Sequence, residues 1–87
     1  MSLTERQAAI LRRMARRNLN RDGAESGAEM ADALWRTGLF TSLEQGQRTC
    51  KQLEAKGLAM PLGVAMSGAK TWTVTDAGRA AAQQQET

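Results

Sequence analysis

The chain has 87 residues, a formal net charge of +3 and a pI near 9.8, a size that makes one domain near the lower end of what a single core stabilises. It contains no histidine and one cysteine, Cys50, which excludes a histidine general base, a zinc constellation and an internal disulfide. No run approaches the roughly 18 apolar residues of a membrane span and there is no basic-then-apolar leader, so a soluble, cytoplasmic protein is expected.

The first element is a helix over about 4–17. Ser2-x-x-Glu5 and Thr4-x-x-Gln7 are overlapping capping boxes, and Ile10, Leu11 and Met14, with Ala8 and Ala15, form an apolar stripe at helical spacing. Arg6, Arg12, Arg13, Arg16 and Arg17 cover the rest. Asn18 to Gly27 is rich in Asn, Asp, Gly and Ser and reads as a loop. Ser26-x-x-Glu29 then opens a helix carrying Ala28, Met30, Ala31, Leu34 and Trp35, expected to stop at Gly38.

Thr41-x-x-Glu44 is a third capping box, which gives Glu44 a capping role. From Ser42 to Lys56 the apolar or small positions are Leu43, Gly46, Cys50 and Leu53, spaced 3, 4 and 3, a helix buried along one narrow stripe. The opposite face carries Thr41, Glu44, Gln45, Arg48, Lys51, Gln52 and Ala55. Gly46 within this helix costs about 1 kcal/mol relative to alanine, and a bulky neighbour filling its space, Trp35 or Phe40, is the expected compensation. Cys50 is expected to be a buried, unreactive thiol. Gly57 caps the helix and Leu58 turns back onto the core.

Residues 59–66 contain Pro61 and Gly63, so a first hairpin strand there is short or irregular. Ser67 to Lys70 supply a turn, and Thr71 to Thr75 alternate, with Trp72 and Val74 inward and Thr71 and Thr73 outward. Thr75 is the N-cap of a short last helix over about 76–84, followed by a polar tail, 83–87. No repeat or linker divides the chain, so 1–87 is read as a single domain with its core over about 4–82. Aromatics are only 3% of residues. Trp35 and Trp72 are assigned to the core, with stacking on single-stranded bases the alternative.

The order helix, hairpin, capped helix resembles a winged helix-turn-helix DNA-binding domain of the bacterial or phage regulator type. Leu53-Glu54-Ala55-Lys56-Gly57-Leu58-Ala59 resembles the end of the recognition helix. Trp72-Thr73-Val74-Thr75-Asp76-Ala77-Gly78 resembles the second wing strand and the helix after it. Glu29 to Trp35 resembles the first helix of the pair, with the small Ala31 allowing close packing. The likeness covers residues 28–80. Two departures stand out: the Arg36–Thr41 connection is longer than the usual tight turn, and Gly46 occupies a position the family tends to fill with a β-branched residue or leucine.

The resemblance implies a mainly α fold with a small β-hairpin: a three-helix core, a wing and a short C-terminal helix. It implies sequence-specific binding of duplex DNA by a small transcriptional regulator, with helix 42–56 in the major groove and wing 64–75 on the backbone. Thr41, Ser42, Gln45, Arg48, Lys51, Gln52 and Lys70 are then the DNA-binding candidates, since Arg pairs with guanine, Gln with adenine, and Lys holds phosphate. A lone unit binds weakly, so a homodimer or larger complex is expected. No catalytic residue, metal or cofactor is assigned, and an enzyme is not expected.

Charge distribution leaves a second use open. Residues 1–21 hold six arginines against one glutamate, residues 22–35 hold four acids and no base, residues 36–56 hold four bases and two acids, and the remainder is neutral. The ridge of Arg12, Arg13, Arg16 and Arg17 reaches either flanking phosphates or an acidic protein partner. The competing expectation is therefore a winged helix used as a protein–protein interaction module.

Overall fold

The first helix starts where Thr4 and Gln7 satisfy each other's free backbone groups. The Thr4 amide donates to Gln7 Oε1 and the Gln7 amide to Thr4 Oγ1, both at 3.1 Å, which completes the second of the two predicted capping boxes. The computed structural model describes residues 3–17 and 24–85. The first candidate box at Ser2, the loop over residues 18–23 and the end of the tail lie outside them, as does the side chain of Arg17. Helix α1 spans Glu5–Arg17 and turns Ile10, Leu11 and Met14 fully inward.

A two-residue strand, β1 (Glu25–Ser26), precedes α2 (Gly27–Ala33). Ser26 Oγ accepts from the Glu29 amide at 3.1 Å and Glu29 Oε1 accepts from the Ser26 amide at 3.2 Å, so this box also forms as read. The α-helix stops at Ala33, however, and a 3₁₀ turn over Trp35–Thr37 carries the chain to Gly38. Tightening to three residues per turn rotates Trp35 off the inner face. Assigned by its sequence to the core, it is 46% exposed.

Helix α3 spans Glu44–Ala55. Its buried stripe keeps Gly46, Cys50 and Leu53 of the predicted set and adds Thr49, whereas Leu43, predicted to begin the stripe, is 45% exposed. The predicted role of Glu44 also fails, because the helix has no side-chain cap. Instead Thr41 and Gln45 bind each other: the Thr41 amide donates to Gln45 Oε1 and Gln45 Nε2 donates to Thr41 Oγ1, both at 2.8 Å. The helix end matches expectation. Leu58 N–H returns to the Leu53 carbonyl and Gly57 N–H to the Glu54 carbonyl, both at 2.9 Å, with Gly57 at φ 76°. This is a Schellman closure, for which glycine is the unstrained choice.

The small size of Gly46 has a cause different from the one expected. A Cβ there would collide with the backbone carbonyl of Gly27 and lie 2.8 Å from the Cβ of Ala31. Conversely, a Cβ on Gly27 would lie 2.5 Å from the Cα of Gln47. Helices α2 and α3 therefore cross backbone against backbone, and neither Trp35 nor Phe40 fills the gap. Gln47, to which the sequence assigns no role, accepts from the Gly27 amide through Oε1 at 3.0 Å.

The wing consists of β2 (Ala59–Val64) and β3 (Lys70–Val74), antiparallel, with a register shift between Pro61 and Gly63. Strand β1 pairs on the other edge of β3, so the sheet has three strands in the order β1-β3-β2. Trp72 and Val74 point inward as predicted. Thr71, predicted to face out, is buried, enclosed by Ser26 on one side and Gly63 on the other. Helix α4 (Asp76–Gln85) begins at Thr75, whose Oγ1 accepts from the Gly78 amide at 3.0 Å.

The two segments that suggest the fold are in contact. Thr75 Oγ1 donates to the Gly57 carbonyl at 2.6 Å and the Thr75 amide to the Leu58 carbonyl at 3.1 Å. A side chain on Gly78 would overlap that same Leu58 carbonyl. The end of α3 is thereby fastened to the start of α4. The architecture is a winged helix: among the described residues, four α-helices with a small antiparallel sheet forming the wing.

Candidate nucleic-acid interface

Burying Gly46, Thr49, Cys50 and Leu53 leaves Arg48, Lys51, Gln52 and Ala55 on the outer side of α3, all exposed. Neither Arg48 nor Lys51 forms an ion pair among the described residues. Gln45 is bound at both ends by Thr41, and Gln52 Oε1 accepts from Gln7 Nε2 of α1 at 3.0 Å. Both glutamines would have to exchange those bonds for base contacts. Ser42 is half-buried and Lys70 is exposed at the start of β3. Around it the wing is apolar, with Met60, Val64 and Met66 exposed.

The arginines of α1 are less available than their number suggests. Arg13 grips Glu25 through Nε to Oε1 at 2.8 Å and Nη2 to Oε2 at 3.0 Å, a two-pronged geometry that holds both partners. Arg12, Arg13 and Arg16 border a surface cleft of about 330 Å³ with Ala9, Leu34, Thr37 and Leu39. Arg6 departs from this group: its Nε donates to the Leu39 carbonyl, and it lines a separate cleft together with Arg48. No local pattern separates Arg6 from its neighbours in the sequence, since only the packing of α1 against α3 sets it apart.

Cys50 is fully buried on the inner stripe, and desolvation pushes its thiol up from 9.0 to about 12. Little thiolate exists at neutral pH, and the thiolate is the reactive form. A thiol reagent at pH 8 is expected to label native protein only as fast as the fold opens, and urea-unfolded protein at once. A thiol held above its unfolded value binds its proton more tightly in the folded chain, so this group's contribution to stability falls as pH rises from about 9 towards 12. Cys50→Ala is expected to reduce that fall.

Among the described residues no group of three or more His, Cys, Asp or Glu is placed to hold a metal ion, and no helix is long and apolar enough to cross a membrane. No family model and no curated protein matches the sequence. The fold is similar to that of Lactococcus lactis ZitR. A single-site mutant of ZitR aligns with a TM-score of 0.74 at 20% identity, over 99% of this chain and 52% of the ZitR chain. A double mutant aligns at 0.71 over the same shares, and its apo form at 0.71 over 95% and 55%, each at 20% identity. The chain thus spans about half the length of those ZitR chains.

Proposed function

We propose that this protein binds duplex DNA as a cytoplasmic winged-helix regulator, with α3 in the major groove and the wing, residues 64–75, on the adjacent backbone. One observation carries the reading: Arg48 and Lys51 stand together on the outer side of α3 with no acidic partner among the described residues. Cations so placed can exchange counterions for phosphates, or reach a guanine edge. Arg13 is already paired with Glu25, which weakens the rival use of the α1 ridge as a docking surface for an acidic protein. The fold shared with ZitR supports this presentation of helix and wing by analogy. Affinity from one half-site is modest, so the working form is a homodimer or part of a larger complex.

Binding to duplexes selected from a random library tests the reading. Arg48→Ala is expected to weaken the selected site by about 1–3 kcal/mol and to relax preference at one base position. Lys51→Ala is expected to weaken all duplexes alike and to lower the salt slope by about one unit. If both variants bind with wild-type affinity and preference, α3 is not the reading helix.

A further inference from the structure

Nothing in the sequence separates Arg6 from the other arginines of α1, yet its exposed guanidinium is oriented beside α3 by a backbone bond. Its Nε donates to the Leu39 carbonyl, which fixes the plane of the group and leaves the two Nη groups for another acceptor. With Thr4, Gln45, Arg48, Thr49 and Gln52 it lines a cleft of about 190 Å³ between the start of α1 and the outer side of α3. Among the described residues no carboxylate borders this cleft. Its other walls are held in place by hydrogen bonds: Gln7 to Gln52 at 3.0 Å, Thr49 Oγ1 to the Gln45 carbonyl at 2.6 Å, and the Thr41–Gln45 pair. A pre-aimed guanidinium at a polar cleft without acids suits a phosphate oxyanion.

We propose that this cleft is a phosphodiester-binding site in which Arg6 holds one backbone phosphate of the duplex, while Arg48 on the α3 wall reaches the base edge beyond it. The proposal rests on the DNA-binding reading and adds α1 to the contact surface through its first turn, not through the Arg12–Arg17 ridge. Arg12 lines different clefts, so equal charge on the same helix serves as the control.

The test is the affinity of wild type, Arg6→Ala, Arg6→Lys and Arg12→Ala for a random duplex between 50 and 200 mM KCl. Losing one phosphate contact lowers the salt slope by about 0.9, so the advantage of wild type over Arg6→Ala should shrink about threefold to fourfold across that range. Arg6→Lys is expected to keep the wild-type slope, and Arg12→Ala to leave it unchanged. Should Arg6→Ala fail to fold, Arg6→Gln removes the charge and keeps the side-chain length. A folded Arg6→Ala or Arg6→Gln variant with the wild-type slope overturns the proposal, as does an equal loss in Arg12→Ala. So does saturable binding of inorganic phosphate that shifts the Arg6 Nε–H resonance and leaves DNA affinity untouched, which would assign the cleft to a free anion. A wild-type protein that binds no duplex at any salt concentration overturns the DNA-binding reading itself, an outcome distinct from these.

Discussion

Trp72→Ala is expected to cost about 3–5 kcal/mol, close to the entire stability of a domain this small. Trp72 has no exposed surface and lies on β3, the central strand, with Glu25 opposite on one side and Pro61 on the other. It shares its core with Ile10, Leu11 and Met14 of α1, Met30 and Ala31 of α2, and Cys50 and Leu53 of α3. Truncation therefore leaves a cavity bounded by three helices and the sheet, which rigid neighbours cannot close without moving one another. Urea unfolding followed by far-UV circular dichroism should show either a transition midpoint far below that of wild type or no folded baseline. Trp35→Ala makes the contrast. With nearly half of its surface in solvent, its loss should stay below about 1 kcal/mol. Equal losses at the two positions would contradict the burial difference between them.

That contrast marks where the sequence stops being informative. The capping boxes Thr4/Gln7 and Ser26/Glu29 and the N-cap at Thr75 are legible because the paired groups lie within one helical turn of each other, and short-range geometry decides them. The glycine after α3 was legible for the same reason. Trp35 was not, because a helical period projected through residue 35 assumes that the α-helix continues, whereas α2 gives way to a 3₁₀ turn. Strand β1 was invisible because two residues carry no alternation, and it exists through pairing with Trp72 and Thr71 far along the chain. Thr41-x-x-Glu44 satisfied the capping pattern, yet the structure uses Gln45, one residue further on. The outer face of α3 was legible, since its inner stripe sets it by subtraction. The reach of Arg6 into that surface depends on how α1 lies against α3, and no spacing within α1 encodes it.

Gly46→Ala brings two opposed effects of known size into one experiment. Replacing a mid-helix glycine by alanine favours the helix by about 1 kcal/mol, so a stabilised protein is the outcome if the site is open. The site is closed: the added methyl would overlap the Gly27 carbonyl and crowd the Ala31 Cβ at 2.8 Å. The atoms it meets include backbone, which cannot swing aside as the end of a flexible side chain can. Relief requires α3 to move off α2, which stretches the bond from the Gly27 amide to Gln47. Overpacking of this kind costs about 1–3 kcal/mol and occasionally more, and with backbone as the obstacle the upper part of that range should prevail, a net loss of about 2 kcal/mol. Because Gly27→Ala attacks the same crossing from the other side, the double variant should lose less than the sum of the two single losses. The displaced helix also carries Arg48 and Lys51, so the DNA-binding proposal expects duplex affinity to fall in Gly46→Ala at temperatures where the variant is still folded. A higher melting temperature for Gly46→Ala would show that the helices stand further apart than the Gly27–Gly46 contact requires.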